Sequence, residues 1–592
     1  MAGKKNKTSL EAEKFLDSAI KYAIYFVIFL LPVLYIPNIS GDFDFSKQML
    51  LFLGVFFVGF LWLAKILVSK KISIKPNIIH VAVLSLPVVL FFSMIFSKNQ
   101  HASFWGWPGV TKDSFLTVLC LSIFYFITAN VFSKKEIKKI VYVLLISLAI
   151  VLAIGVLQLL NWLVFPNGYL SFFSLNTIGS AWGLAFLSAF LIPFLIILFI
   201  DEAKKERLFL AVEIFLSAII LFMVRCQASL WVLFFGCLFV VLILFLKNKV
   251  FDQRWLTLPM FFSALALFLI IFGQQIAFIP HKYEEISLSQ GQSLNIALKS
   301  LKENPVLGSG PGTFSYDFLK NKEKDSSNVS SENVSFVMAG SKFLTDLAAT
   351  GLLGVICFLF IFDTVILFLV KDIFEKKGQF LAVSLFAFFV AQTLTVFLYG
   401  SNLSLDFIYF LTIALISILS SAKVKDYDFS EVAFKRVLVA LGFLIIIVFG
   451  LYFLFLSYKR YLGETNYYKG LVAVSDKNYA LGIDFFEKAA NYNPNCDLYF
   501  RQLALTYVFE LQENLKEIDY EQASDQQKLE IEKLVGNSIN SAKRATDIAE
   551  NNVTNWLARG YVYRNVDGLF DGAKDWAKTC YEKAKSLDPQ NS

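Results

Sequence analysis

Apolar runs long enough to cross a bilayer recur from near the start of the chain to about residue 457. A helix needs about 20 apolar residues to span a hydrocarbon core. The pattern predicts thirteen spans, at about 20–37, 48–68, 79–97, 114–132, 140–163, 181–200, 208–224, 229–246, 255–273, 343–370, 380–399, 405–421 and 437–457. The chain reads as all-α: a polytopic membrane helix bundle over residues 20–457, after a short segment, 1–19, and before a more polar tail, 458–592.

Orientation follows from the loops. Lys4, Lys5 and Lys7 precede the first span with no small-residue cleavage site nearby, so that span reads as a retained anchor. Alternate loops carry Lys65/Lys70/Lys71/Lys75, Lys134/Lys135/Lys138/Lys139, Lys204/Lys205/Arg207 and Lys423/Lys425/Lys435/Arg436. The positive-inside rule places these and the N-terminus in the cytoplasm. Thirteen spans then put the tail after Ser457, and the long loop at about 274–342, outside the cytoplasmic membrane. In that loop Leu294, Ala297, Leu298 and Leu301 share a helical face and Lys299 and Lys302 point elsewhere, which predicts an amphipathic helix on the bilayer surface. Asn304-Pro305 ends it.

Composition narrows the class. Only 17% of the 592 residues are charged and 57% are apolar, against about 25% charged in a soluble protein. An ordinary soluble enzyme and a disordered chain are excluded. The formal charge of +7 reflects cytoplasmic-loop cations and carries no nucleic-acid signal. The six cysteines form no CxxC or CxxH spacing and His80, His101 and His281 are scattered. Neither a metal nor a haem site is expected from them, and no cofactor. Cys496 and Cys580 lie where a disulfide is permitted, but nothing in the sequence pairs them.

In the tail, Gly470, Tyr479, Phe486, Ala489 and Pro494 have the spacing of a tetratricopeptide repeat, where Gly, Tyr and Ala mark helix packing and Pro ends the second helix. Ala577, Tyr581, Ala584 and Pro589 repeat the end of that pattern, and Ala542, Ala545 and Ala549 resemble a degenerate middle unit. A plain helical-hairpin domain is the alternative. Repeats of this kind bind extended peptides or partner proteins, which implies a protein partner here.

The outer loop continues through Asn304-Pro305-Val306-Leu307-Gly308-Ser309-Gly310-Pro311-Gly312-Thr313-Phe314. Glycines at alternate positions let a backbone approach a bulky or anionic ligand with its N–H groups available. Leu344-Thr345-Asp346-Leu347-Ala348-Ala349-Thr350-Gly351-Leu352-Leu353-Gly354 follows, with Ser103-Phe104-Trp105-Gly106 and Gly109 earlier in the chain and Arg225-Cys226-Gln227-Ala228-Ser229 after the seventh span. In order and spacing these stretches resemble the O-antigen ligase and O-antigen polymerase superfamily over about residues 20–421. The resemblance implies a metal-independent membrane glycosyltransferase that moves a glycan from a polyprenyl-diphosphate lipid to a glycan or glycoprotein acceptor. It implies Arg225 as the guanidinium that stabilises the departing diphosphate, and Gly308, Gly310, Gly312 and Trp105 as substrate contacts.

The pattern also departs from the family. Aligned on Gly351, Gly340-Ser341 stand where the family has His-Asn, Ala349 where it has Glu, and Gln292 near a family Arg. Asp346 lies on the same helix face as Ala349, with Lys342 one turn before it. A carboxylate there suits a base toward an acceptor hydroxyl, and Asp346 and Arg225 are expected to face one cavity. Lys282, Lys299 and Lys302 are candidates for the lipid diphosphate, although Lys beside a membrane more often binds anionic lipid headgroups, which is the favoured reading. Asp363, Gln392, Thr393 and Thr395 are expected in interhelical hydrogen bonds. Two further readings stay open: a catalytically degenerate glycan-assembly scaffold acting through the tail, and a lipid-glycan transporter.

Overall fold

Each of the thirteen apolar runs folds as a helix in the computed structural model. It describes residues 7–36, 43–107, 110–162, 175–246, 252–273, 285–322, 336–375, 380–420, 423–429, 433–517 and 524–590. The membrane part opens with α1 (Lys7–Val33), α2 (Phe43–Ser69), α3 (Ile78–Ile95), the short α4 (Gln100–Trp105), α5 (Phe115–Val131) and α6 (Ile137–Leu159). It continues with α7 (Ala181–Asp201), α8 (Lys204–Val224), α9 (Gln227–Leu246) and α10 (Thr257–Phe272). The long loop forms α11 (Gln290–Glu303) and α12 (Phe314–Asn321), before α13 (Lys342–Glu375), α14 (Phe380–Leu398) and α15 (Leu403–Ser420). Then α16 (Ala433–Ser475) leads into α17 (Tyr479–Tyr492), α18 (Asp497–Glu517), α19 (Asp525–Ile548), α20 (Val553–Asn565) and α21 (Ala573–Leu587).

Among the described residues twelve helices are long and apolar enough to cross a membrane, and at the remaining expected position α5 has 17 residues. This is a multi-pass, all-helical membrane protein. Its centre is α7, 94% buried along its span, with α15 at 89%, whereas α16 at 6% turns nearly all of its apolar surface outward. At the Lys-rich end, Lys71–Ile74 pairs antiparallel with Lys425–Asp428 and ties two loops together.

The amphipathic helix of the long loop forms at Gln290–Glu303, capped by Ser289 and Gln292. The small face of Ser293, Ile296, Ala297 and Ser300 is buried against the protein, while Leu294 and Leu298 are exposed. Small residues let α11 sit close to α13, so close backbone approach, and not leucine content, selects the inward face. Ile296 and Ala297 join Phe314, Phe318, Leu344 and Leu347 in a separate core.

At about 1.5 Å per residue, the 43 residues of α16 make a rod far longer than a hydrocarbon core of about 30 Å. Its far part packs directly on α17, so the last span runs into the helical domain without a flexible linker. Helical hairpins α16/α17, α18/α19 and α20/α21 follow, and Gly470 and Gly560 admit the Phe486 and Tyr581 rings at matching positions of the first and last. Cys496 and Cys580 are buried in different clusters, and both are free thiols.

Among the described residues, contacts of Arg460, Lys322 and Asn551 hold this domain against the bundle. Arg460 donates to Gln48 Oε1 and the Trp105 carbonyl, both at 2.9 Å, and to the Gly106 carbonyl at 3.1 Å. Its guanidinium also lies over the Phe45 and Trp105 rings. Lys322 pairs with the buried Asp588 at 2.8 Å, and Asn551 donates to the Lys98 carbonyl at 3.2 Å. His101, Glu464, Cys496 and Asp497 line a small cavity beside Arg460.

Burial, and then the nearby Arg460 charge, push the His101 imidazole down to about 4, with Asp497 opposing. The unfolded chain takes up that proton near pH 6.5. Between these values the unfolded state binds more protons, so stability falls as pH drops from about 6.5 towards 4. Thermal midpoints of the purified full chain should decline over that interval, and His101→Gln should flatten the decline; equal slopes for the two proteins would remove His101 as the cause.

Candidate functional site

α13 loses its helical course at Gly351, where φ is 64° and ψ −159°. A break inside a span leaves carbonyl and N–H groups that lipid cannot satisfy. The segment Pro305–Gly310 fills it. Ser309 and Gly310 N–H donate to the Ala348 and Ala349 carbonyls at 3.1 and 2.9 Å, and Leu352 and Leu353 N–H donate to the Pro305 and Val306 carbonyls at 3.0 and 3.2 Å. From α3, Ser93 Oγ donates to the Leu307 and Ala349 carbonyls.

Gly308, Gly310 and Gly312 all have positive φ. A Cβ on Gly308 would lie 2.4 Å from the Ala349 backbone, and one on Gly310 2.0 Å from Ser97 Oγ. The N–H groups expected to be open to a ligand are taken at Gly308, by the Asn304 carbonyl, and at Ser309 and Gly310, by α13. At 308 and 310 close packing therefore requires glycine, at 308 against the broken helix and at 310 against Ser97 and Ser103, and the N–H groups there serve the fold. A salt bridge secures the loop. Lys98 Nζ lies 2.6 Å from Asp317, whose other oxygen accepts from Ser309 Oγ. Burial pushes the Asp317 carboxyl up and outweighs the pull of Lys98 and Ser309.

Beneath the loop, a cavity of about 80 Å³ lies among α3, α5, α13 and α15, roofed by Pro311 and Gly312. One part is apolar, lined by Leu86, Leu90, Leu121, Phe358 and Ile413. The other is ionic. Lys342 Nζ sits 2.9 Å from Asp113, 3.3 Å from Asp406 and 3.8 Å from Asp346. Asp346 keeps 39% of its side-chain surface accessible, whereas Asp113 and Asp406 are buried. Burial raises the Asp113 carboxyl, but Lys342 and Lys112 more than offset it and hold it below the usual range. Ser401 Oγ donates to the second oxygen of Asp406 at 2.6 Å, and Lys112 donates to the Gly400 and Ser401 carbonyls. If all five groups are ionised, three carboxylates face two ammonium groups.

Arg225 does not share this cavity, contrary to expectation. It closes α8 in the left-handed conformation and its guanidinium donates to the Gly273 carbonyl at the end of α10. Arg225 thereby meets an orphan helix-end carbonyl. Beside Cys226 lies a second polar centre: Ser180 Oγ contacts Glu285 at 2.8 Å and Tyr399 at 3.1 Å. Burial pushes the Glu285 carboxyl up. The Tyr399 carbonyl accepts the Lys342 N–H at 2.8 Å, which joins the two centres.

Trp105 is buried and stacked on Phe453 at 5.1 Å, so it seats α16 and has no open face for substrate. Lys299 donates to the Asn321 carbonyl, Lys302 is exposed, and Lys282, His281 and Gly109 lie outside the described residues. Thr393 and Thr395 bond within their own helix, and Asp363 is exposed on α13. Asp113, Asp406 and Lys112 escaped sequence reasoning. Their signal is charge at the edge of an apolar run, and the Lys112-Asp113 pair beside Ser114 was the clearest instance. Gln48 holds their turn, donating to the Thr111 carbonyl at 3.1 Å and Thr117 Oγ1 at 2.7 Å while accepting from Arg460. No protein-family model and no curated protein matches the chain.

The two packing situations of the glycines can be separated. Gly308→Ala combines positive φ with a backbone clash and should cost about 2–4 kcal/mol. Gly312→Ala, whose Cβ meets nothing closer than 3.9 Å, should cost about 1–2 kcal/mol from conformation alone. Denaturation of the two purified variants measures the difference; equal losses would refute the packing account of Gly308.

Proposed function

We propose that the chain is a membrane glycosyltransferase of the O-antigen ligase/polymerase kind, moving a glycan from a polyprenyl-diphosphate lipid to an acceptor outside the cytoplasmic membrane. The observation that supports this reading best is the Lys342–Asp113–Asp346–Asp406 cluster in a part-apolar cavity under the glycine loop. Asp346 is the accessible carboxylate of the three and takes the proton of the acceptor hydroxyl. Asp113 and Asp406 hold Lys342 beside it. The cavity has room for roughly five waters, so it admits a reacting hydroxyl and not a whole sugar chain. An anionic diphosphate gains nothing from a site where carboxylates outnumber ammonium groups, and in this reading it lies towards the Arg225 centre. The helical domain, read as tetratricopeptide-like and extracytoplasmic, is placed to receive a protein partner or acceptor.

One observation favours the scaffold reading. Arg225 bonds a helix end and the N–H groups of Gly308, Ser309 and Gly310 bond backbone carbonyls, so each has a structural use. Asp346→Asn separates the two readings, because Lys342 keeps Asp113 and Asp406 and the fold is preserved. As loss of a general base, it should slow glycan transfer by about 10²–10⁴-fold, with lipid-linked donor accumulating outside the membrane. Unchanged transfer in Asp346→Asn, together with complete loss on deleting residues 463–592, would replace the enzyme by the scaffold.

A further inference from the structure

The opposite end of the bundle holds a larger space that the proposed reaction does not use. α8 rests on α7 and α10 rests on α9, and between α8 and α10 a groove of about 720 Å³ remains. Phe199 of α7, Ile214 and Ala218 of α8, and Leu258, Phe262 and Leu265 of α10 line it. Ala211 and Ala218 supply the concavity on the α8 side. It runs from the Lys-rich end of both helices to about their midpoints, the depth of one leaflet. In a bilayer, only a hydrocarbon chain can fill such a space without cost.

The mouth is not apolar. Arg254 and Trp255 line it, and the Arg207 guanidinium sits 5.5 Å from the Trp255 ring and 5.8 Å from the Phe199 ring. Arg207 uses one amino group on the Ile200 carbonyl, and its buried Nε–H has no acceptor among the described residues. The Arg254 side chain is 92% exposed, and Asp252 approaches its Nε only to 4.0 Å. Asp252 lines the mouth beside Arg254, Glu202 is paired with Lys138 at 2.7 Å, and Asp201 and Glu206, like Arg207, lie outside the groove lining, Arg207 reaching the mouth through its contact with Trp255. Exposed Lys204 and Lys205 lie on the first turn of α8.

We infer that this groove is a binding site for an anionic phospholipid of the adjoining leaflet, one acyl chain lying between α8 and α10 and the phosphate meeting Arg254 and Arg207. Guanidinium groups match phosphate oxygens with directed donors, and basic pockets between spans at this end suit anionic headgroups. The Trp255 ring at the mouth places the headgroup level. The site is independent of the transfer reaction, whose cavity lies at the other end.

Trp255 is a built-in reporter. The full chain is reconstituted in phosphatidylcholine vesicles containing phosphatidylglycerol, with acyl-chain bromine on one lipid or the other, and Trp255 emission is taken as wild type minus Trp255→Phe. Brominated phosphatidylglycerol should quench it with about five-fold higher effective affinity than brominated phosphatidylcholine, the equivalent of the ~1 kcal/mol that one cation contributes near a membrane surface. Arg254→Gln, a change at an exposed position, should reduce the preference, the double variant Arg207→Gln/Arg254→Gln should make the two lipids equal, and Ala218→Phe, which fills the groove, should weaken quenching by both. Equal quenching in the wild type, a preference unchanged by Arg254→Gln, or one that survives the double variant, would overturn the assignment.

Discussion

The loop end of this protein depends on one constraint: a span broken at Gly351 must have its backbone hydrogen bonds completed by protein. An unsatisfied peptide group in hydrocarbon costs several kcal/mol. The bonds to Ser309, Gly310, Pro305 and Val306 therefore hold the long loop to α13 more firmly than side-chain packing alone would. Positive φ at Gly308 and Gly310, the Ser93 hydroxyl on α3 and the Lys98–Asp317 pair all follow from that insertion. The cavity is its by-product. The break lets the first turns of α13 carry Lys342 and Asp346 to face Asp113 and Asp406 while the rest of the helix continues across the bundle.

How much of this was legible in the sequence follows from how local each signal is. Span positions were readable because apolar length is a property of consecutive residues. The glycine loop was readable as a motif but its use was not, since the acceptors of the Ser309 and Gly310 N–H groups lie some forty residues away on α13. Arg225 was recognisable as an unusual charge, yet the carbonyl it meets, Gly273, lies 48 residues on at the end of another helix, and no spacing rule connects the two. For α11, periodicity gave the helix and its exposed leucines, but not the side on which Ser293, Ile296, Ala297 and Ser300 pack against the protein. Asp346 and Lys342 were found one turn apart, whereas Asp113 and Asp406 come from other helices and no spacing rule connects them.

The same distinction applies to the helical domain. Its hairpin glycines were visible in part, as Gly470 against Phe486 shows, but nothing in the tail announces that it is fastened to the bundle. That depends on Arg460, one residue at the exit of a span, whose acceptors come from α2 and from the Trp105–Gly106 turn. Gln48 turns this contact into a longer connection. It receives Arg460 on one amide atom and, through the other, holds Thr111, Ser114 and Thr117 on either side of Lys112 and Asp113.

A buried charge is stabilised only when its partners stay in place, and removing one partner typically costs 3–5 kcal/mol. Asp113 is buried beside Lys342, so the position of the 111–117 turn sets the charge balance around Asp346. Displacement of α16 would move Arg460 and Gln48 first, and the turn with them. Because α16 is continuous from the lipid-facing span into the first hairpin, one helix carries both the start of the helical domain and the Arg460 contact to Gln48, which in turn bonds the 111–117 turn beside Asp113.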